Sequence, residues 1–549
     1  MRAFTPTAKG FFVSESALPP VEPPAQPHVK TRKTNMLRSS LITGSMTMMS
    51  RITGLARDQL QAYFLGAGAD ADAFNAAFRI PNFFRRLFSE GAFSQAFIPV
   101  LSEYRAKGSQ EVLKHLIDRV AGCLGSVLIL VTVLGVVGAP VLGAVFASGF
   151  MDEPGKFEHY VALIRIMFPY LMLISLSGFM GAILNSYDRF AISAFTPVLL
   201  NIVSIFAMLV IAPIMGSVTF ALAWSVLLAG VLSIAFQAPH LKRLHLLPAP
   251  KMDWNDPGVK RILALMAPAI FGVSIAQINT LFDSIAASWL PEGSITWLYY
   301  SDRLVELPLG IFAVAISTVI MPNLSRLHAT DSAEDFSKTL DWAVRFILLI
   351  ALPATLALVI LAKPVIFTLF QHGKFNPEDA LMSSYSLQTY ALGLLAFMLI
   401  KVLAPGYFAR QDIKTPVKIG MIAIVTGMIL KVLIVVPLNF YWQIGHVGLA
   451  LSTALAAYIN VTLLYRGLRK REVYIPAAGW TKTWLRYGLA NALMVVTLLV
   501  GTHYLHNWAE WGILERILYL AVLCIGGGLV YLIGLGIAGF RPKDFRAPH

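Results

Sequence analysis

From Leu41 to about Ile537 the chain is a succession of apolar runs separated by short polar segments. Each run is long enough to cross hydrocarbon, which takes about 17 to 25 residues. Windows of ~19 residues divide the chain into about fourteen helical spans, several of them broken or lengthened by Pro and Gly. The pattern predicts an all-α polytopic membrane protein with no room for a soluble domain of ordinary size.

Charges between the runs alternate in sign. With a cytoplasmic N-terminus, the inner loops hold Arg105, Lys107, Lys114 and Arg119, then Lys242, Arg243 and Lys251, then Arg410, Lys414 and Lys418, then Arg466, Arg469, Lys470 and Arg471. The outer loops hold mostly acids: Asp152, Glu153, Glu158, Glu292, Glu378, Asp379 and Glu510. Lys and Arg accumulate on the cytoplasmic side, and an even number of spans returns Arg541, Lys543 and Arg546 to that side. Both termini are expected to be cytoplasmic.

The pattern also repeats. Ala96-Phe97-Ile98-Pro99-Val100-Leu101-Ser102 closes the second span, and Val319-Ile320-Met321-Pro322-Asn323-Leu324-Ser325 closes the eighth. Thr196-Pro197-Val198 opens the fifth span and Thr415-Pro416-Val417 the eleventh, at nearly the same separation. Two parallel lobes of about six spans each follow, residues 36–250 and 251–470, a transporter plan that puts the substrate site between the lobes near the midplane. Residues 471–549 supply two further spans with no counterpart. Residues 1–35, with Pro19, Pro20, Pro23, Pro24 and Pro27, read as a disordered cytoplasmic tail or as an extension upstream of a start at Met36.

Composition agrees: of 549 residues 57% are hydrophobic and 13% charged, against roughly 25% charged in soluble domains. The net charge of +14 lies between spans rather than on one basic face, which argues against nucleic acid. Cys123 and Cys524 both lie in apolar runs, so neither a disulfide framework nor a cysteine metal site is expected. No cofactor or metal is implied.

Four spans depart from the apolar pattern. In the second, Asp72, Asn75, Arg79, Asn82, Arg86 and Glu90 recur at steps of three and four and so share one helical face. The first carries Arg51 and Asp58 on one face, with Arg57 beside them and Gly54 between. The eighth carries Asp302, Arg303 and Glu306 before Pro308, and the seventh a gentler stripe of Gln277, Thr280, Ser284 and Ser288. A charge facing lipid at the bilayer centre costs about 2.5 to 3.5 kcal/mol, so these groups must face water or one another. Ion pairs that fasten helices together, such as Arg303 with Glu306, account for some of them. They do not account for the set, because Arg51, Arg57, Arg79, Arg85, Arg86 and Arg303 outnumber their plausible partners. A sheltered surplus of guanidinium groups is an anion site, since the planar fork binds phosphate oxygens bidentately.

Weaker signals are set against this. Asp70-Ala71-Asp72 has the spacing of a glycosyltransferase metal motif, but it opens a membrane helix near the outer face. His372, His446, His503 and His506 are expected at the interface. Lys431 is expected to snorkel to the interface, and Lys401 is left open.

Several strings resemble the MurJ (MviN) lipid II flippases: Ser45-Met46-Thr47-Met48-Met49-Ser50-Arg51, Gly54-Leu55-Ala56-Arg57-Asp58, Pro81-Asn82-Phe83-Phe84-Arg85-Arg86-Leu87-Phe88 and Glu90-Gly91-Ala92-Phe93-Ser94-Gln95-Ala96-Phe97. Tyr299-Tyr300-Ser301-Asp302-Arg303-Leu304, Leu403-Ala404-Pro405-Gly406 and Arg410-Gln411-Asp412-Ile413-Lys414-Thr415-Pro416-Val417-Lys418 extend the likeness, which runs from about Met36 to the C-terminus. The resemblance implies the fold of the multidrug and polysaccharide exporter superfamily, with two lobes around a central cationic cavity and two last helices forming a groove for a lipid tail. It implies a bacterial inner-membrane transporter rather than an enzyme, with undecaprenyl-diphosphate disaccharide-pentapeptide as substrate, membrane lipids around it, and association with cell-wall synthesis proteins. The family's cavity arginines fall on Arg51, Arg57, Arg85, Arg86 and Arg303, with acidic companions at Asp58, Asp72, Asp302 and Glu306.

On this reading Arg51, Arg57 and Arg303 grip the diphosphate, and Arg85 and Arg86 act as an inner gate or first capture point. Arg79, Glu90 and Gln277 support the cavity together with the four acids. No nucleotide-binding loop is present. The competing readings are a related drug antiporter or polysaccharide-lipid flippase, and a membrane glycosyltransferase built on Asp70 and Asp72.

Overall fold

The computed structural model describes residues 33–87 and 93–541. The expected tail therefore lies almost wholly outside the described residues, as do Glu90, Lys543 and Arg546. Every regular element among the described residues is helical.

The first part of the chain forms α1 (Lys33–Leu65), α2 (Ala69–Arg85), α3 (Ser94–Lys107), α4 (Gln110–Val137), α5 (Ala139–Phe146), α6 (Pro154–Met167), α7 (Tyr170–Ser186), α8 (Phe190–Phe206), α9 (Ala212–Met215) and α10 (Val218–Arg243). The second forms α11 (Pro257–Ser288), α12 (Ser294–Pro308), α13 (Val314–Ala329), α14 (Ala333–Ile360), α15 (Ala362–Leu369), α16 (Pro377–Phe408), α17 (Lys414–Trp442) and α18 (Gly445–Lys470), followed by α19 (Trp480–Tyr504) and α20 (Ile513–Ile537). Among the described residues ten helical runs are long and apolar enough to cross a membrane: α4, α6 with α7, α8 with α9, α10, α14, and α16 to α20 singly. The expected count of about fourteen adds α1, α2 with α3, α11, and α12 with α13. These are the spans whose polar positions stood out in the sequence.

The two parts repeat in geometry as well as in motif. α4 and α14 each have 28 residues and each leads directly into an eight-residue helix, α5 and α15. The turns before α8 and α17 both place a non-glycine residue at φ 60°, Asp188 and Gln411. Each is closed by a matching backbone bond, Arg189 N–H to the Leu184 carbonyl and Asp412 N–H to that of Tyr407. After α10 and α18 the same turn recurs, at His245 and Glu472 with φ 56°.

Packing follows this division. In the first part α10 lies against α7 and α8, α2 against α6, and α1 against α8. In the second, α16 is central, packed on α14, α18 and α12. The core of the second part holds Tyr300, Phe370, Leu387 and Tyr407 and continues into Leu498 and Leu535 of the last two helices. One core of the first part, around Phe150, Tyr160 and Phe168, takes in Ile295 and Leu298 of α12. At that level the two parts are packed on each other.

Polar contacts fasten the same end. Lys374 N–H donates to the Tyr63 carbonyl at 2.9 Å. Gly66, at φ +68°, has no room for a Cβ, which would stand 2.7 Å from the Lys374 carbonyl oxygen. Ala69 N–H donates to Glu292 at 2.6 Å.

Candidate functional site

The axis of the site is the junction of α12 and α13. Pro308 supplies no N–H, and the backbone passes through a π turn, Leu309–Ala313, before α13 begins. Proline disrupts the regular helical ladder and π turns accommodate such disruption. Gly310 in this turn lies directly under the Arg51 guanidinium: a Cβ there would be 1.9 Å from Arg51 Nη2. Arg51 Nη1 also donates to the Glu306 carbonyl oxygen at 3.4 Å.

About two turns further along α1, Arg57 and Asp58 are buried, with exposures of 7% and 3%. Arg57 donates to Asp58 Oδ1 through Nη2 at 2.6 Å and Nε at 3.1 Å. Tyr299 of α12 ties this pair to the opposite wall, accepting from Arg57 Nη2 at 2.9 Å and donating to Asp58 Oδ1 at 3.1 Å. Arg303 donates to the same hydroxyl at 3.3 Å and to Glu306 Oε2 at 3.3 Å, and its Nε stands 3.7 Å from Asp58 Oδ2. Asp58 is thus shared between two arginines, and three guanidinium groups face two carboxylates. The side chains of Arg303 and Glu306 remain 40% and 44% exposed. They face a cavity of about 330 Å³ bounded by α1, α8 and α12. Asn201 of α8 completes the wall, donating to the Ser50 carbonyl at 3.0 Å and to Thr53 Oγ1 at 3.2 Å.

A second charged centre lies across the seam. Lys431 of α17 is ion-paired with Asp283 of α11 and donates to Asn279 at 2.8 Å. It is 2% exposed, so it is not the snorkelling residue expected from the sequence. Asp283, about one and a half turns from the end of α11, gives it a partner on a neighbouring helix. Arg79 lies within electrostatic reach of both Asp283 and Asp302, and Arg86 within reach of Asp302. Asp302 and Arg86 are exposed, while Arg85 is half-buried and donates to Asn82 at 3.2 Å.

The family resemblance made Asp72 a cavity acid, and the structure gives it another role. It is 1% exposed and accepts from Gly293 N–H at 2.8 Å, Thr296 N–H at 2.9 Å and the Thr296 hydroxyl at 2.7 Å. It caps the start of α12, where unpaired amides and the helix dipole favour an anion. Asn75 extends the clasp, accepting from Gln61 at 2.9 Å and donating to Thr296 at 3.1 Å. With its oxygens held by these donors, Asp72 is not displayed beside Asp70 as a metal ligand. Ser288 in the stripe of α11 likewise serves packing: it accepts from Gly149 N–H at 3.1 Å, so close that a Cβ on Gly149 would meet the Ser288 carbonyl at 2.2 Å. Gln277 is buried. His446, expected at the interface, is fully buried against the Trp297 ring with centroids 4.8 Å apart. His372 is half-buried, and His503, His506 and Lys401 are exposed.

The pattern of the lipid II flippase MurJ family matches residues 61–519. The chain is 46% identical to a probable lipid II flippase MurJ of Vibrio cholerae serotype O1, over 93% of this chain and 98% of that one. The chain belongs to the MurJ family.

A lipid II flippase MurJ of Burkholderia cenocepacia is 40% identical over 93% of this chain and 99% of its own. Among solved structures, the lipid II flippase MurJ in an inward closed conformation superposes with a TM-score of 0.73 at 26% identity, covering 90% of this chain and 98% of that one. An inward-facing MATE family multidrug transporter of the MOP superfamily follows with a TM-score of 0.62 at 16% identity, covering 78% and 97%. That likeness is one of fold alone. Within this MurJ family member, sequence reasoning missed Tyr299, Asn201, Asp283 and the buried state of Lys431. Tyr299 had a signal, four residues before Arg303 and hence on its face. Asp283 had one too, the acid within the polar stripe of α11 and one helical turn before Ala287, on the face of Asn279.

Proposed function

We propose that this chain flips the lipid-linked peptidoglycan precursor lipid II from the cytoplasmic to the outer leaflet of the bacterial inner membrane. The carrying observation is the wall formed by Arg51, Arg57 and Arg303 facing an open cavity, with Arg57 and Arg303 joined by Tyr299 and Arg51 held on the Glu306 carbonyl. A diphosphate is the anion that such a wall suits, because planar guanidinium forks bind its oxygens in pairs. Family membership supports the rest of the cargo. The chain acts as a transporter rather than as a catalyst.

Transport proceeds by alternating access of two lobes, residues 36–250 and 251–470. The α2–α12 clasp at Asp72 seals the outer end while the cavity takes its load from the inner side. Arg85 and Arg86 capture the diphosphate, Arg51, Arg57 and Arg303 hold it, and Arg79, Asp58, Asp302 and Glu306 set the field around it. α19 and α20 flank the path of the lipid tail, α1, α2–α3, α11 and α12–α13 complete fourteen spans, and both termini are cytoplasmic. Outward movement of anionic charge runs with an inside-negative potential, worth about 2.3 kcal/mol per charge per 100 mV. A cation or drug antiporter of the same fold requires an acidic or apolar cavity, the opposite of this wall.

The test is depletion of the protein in its own cell, with an assay for the precursor in the outer leaflet. Rescue by wild type and not by correctly inserted Arg303→Ala supports flipping through this site. Normal export after full depletion would exclude it.

A further inference from the structure

The three arginines of the wall are not equivalent. Arg57 is tied to Asp58, and Arg303 to Asp58 and Glu306. Among the described residues Arg51 is paired with no carboxylate: its guanidinium meets the Glu306 carbonyl oxygen, a neutral acceptor. The positive charge that no acid offsets is therefore carried by Arg51, and the position of that fork decides where an incoming anion is gripped.

Its position is set from the opposite side of the cavity. The Glu306 carbonyl already accepts from Leu309 N–H at the end of α12. A carbonyl oxygen has a second lone pair, and Arg51 Nη1 takes it at 3.4 Å. One turn on, the π turn carries the Gly310 backbone beneath the same fork. A Cβ at Gly310 would stand 1.9 Å from Arg51 Nη2, 2.7 Å from Cζ and 3.1 Å from Nη1, so the whole end of the side chain lies over this one position. Gly310 is not held at positive φ. The backbone there tolerates any residue, and what excludes a side chain is the guanidinium alone. On its other side α1 is close against α8: Asn201 donates to the Ser50 carbonyl at 3.0 Å, and its Nδ2 is 3.4 Å from where a Cβ on Gly54 would lie. A methyl group at position 310 is thus accommodated by moving the Arg51 fork and not the helix.

We infer that Gly310 is a positioning residue for the cargo anion: its missing side chain leaves a seat on the π turn that holds the Arg51 fork at the cavity edge, where the diphosphate binds. The inference rests on the diphosphate cargo proposed above and adds the residue that places its one uncompensated cation. A fork already fixed on this seat loses less conformational freedom when it takes up phosphate oxygens.

The experiment is binding of undecaprenyl diphosphate to the purified full-length protein in detergent, followed by microscale thermophoresis. Arg51→Ala removes the fork and is expected to weaken binding roughly 30-fold, within the worth of a hydrogen bond to a charged group. Gly310→Ala displaces it and is expected to weaken binding about fivefold, part of that worth, with heat resistance unchanged because the methyl meets the end of a flexible side chain. In the Arg51→Ala background Gly310→Ala is expected to add nothing, the non-additivity of two groups that act through one contact. Gly420→Ala in α17, where a Cβ meets nothing within 4 Å, is expected to bind as wild type does. A Gly310→Ala loss that persists without the Arg51 guanidinium, or no such loss while Arg51→Ala weakens binding, would overturn the inference and leave the cargo reading standing. Undiminished binding by Arg51→Ala would overturn both. Should Gly310→Ala fail to fold, the double variant is expected to recover heat resistance, since the group that the methyl crowds is gone; a double variant equally unstable would overturn the inference.

Discussion

Asp283→Asn is expected to destabilise the protein more than Lys431→Met, although both break the same ion pair. Lys431 is 2% exposed, and among the described residues its ammonium keeps, without Asp283, the Asn279 carbonyl oxygen at 2.8 Å and the Phe282 ring at 5.8 Å. Both are neutral. Leaving one member of a buried pair uncompensated costs about 3–5 kcal/mol, and the full amount applies here. The converse variant strands Asp283, whose side chain is 32% exposed and which Arg79 also attracts. Its loss is expected to be about 1.5–3 kcal/mol, the worth of one hydrogen bond to a charged group. The double variant Asp283→Asn/Lys431→Met replaces the pair with neutral groups of similar volume and is expected within ~1 kcal/mol of wild type. The assay is resistance to heat in detergent, read as the fraction of monodisperse protein by size-exclusion chromatography. A greater loss for Lys431→Met than for Asp283→Asn would refute the reasoning, as would a double variant whose loss is the sum of the two.

Three other outcomes follow from the same geometry. Tyr299→Phe removes the hydroxyl that joins Arg57, Asp58 and Arg303; flipping is expected to fall about tenfold, for ~1.4 kcal/mol of lost positioning, the upper end of the net worth of a typical hydrogen bond, with heat resistance nearly unchanged. Asp72→Ala strips three donors at the start of α12 and is expected to cost about 2–4 kcal/mol, seen as earlier thermal loss and not as a defect in cargo binding at low temperature. In the loop between α16 and α17, Asp412 accepts hydrogen bonds from Thr415 and pairs with Arg471, which together hold its carboxyl below the usual range. Stability from this group is therefore present above its unfolded value, about 3.9, and is lost as pH falls through its lower folded value. Asp412→Asn is expected to be less stable than wild type at pH 7, with the gap closing in acid; a gap independent of pH would refute the assignment.

The amphipathic second span shows where one-dimensional reading succeeds and where it stops. Steps of three and four put Asp72, Asn75, Arg79 and Arg86 on one face, and that face does turn inward, because charges in hydrocarbon have no other stable place. Helical periodicity fixes direction around an axis but not depth or partner. Asp72 and Arg79 share the face, yet the first is consumed by the amides of α12 and the second lies beside acids of α11 and α12.

Length, apolar runs and loop charges belong to the sequence itself, since hydrocarbon thickness and charge cost act on each segment independently of its neighbours. For the same reason the helical class, the paired motifs around Pro99 and Pro322, and the unusual arginines could be read directly. The partners could not. Asp58 shared by Arg57 and Arg303, Tyr299 between them, Gly310 under Arg51, and Lys431 held by Asp283 are contacts between helices far apart in the chain. Only the packing of α1, α11, α12 and α17 decides them, because whether a buried charge is compensated depends on what another helix brings within a few ångströms of it.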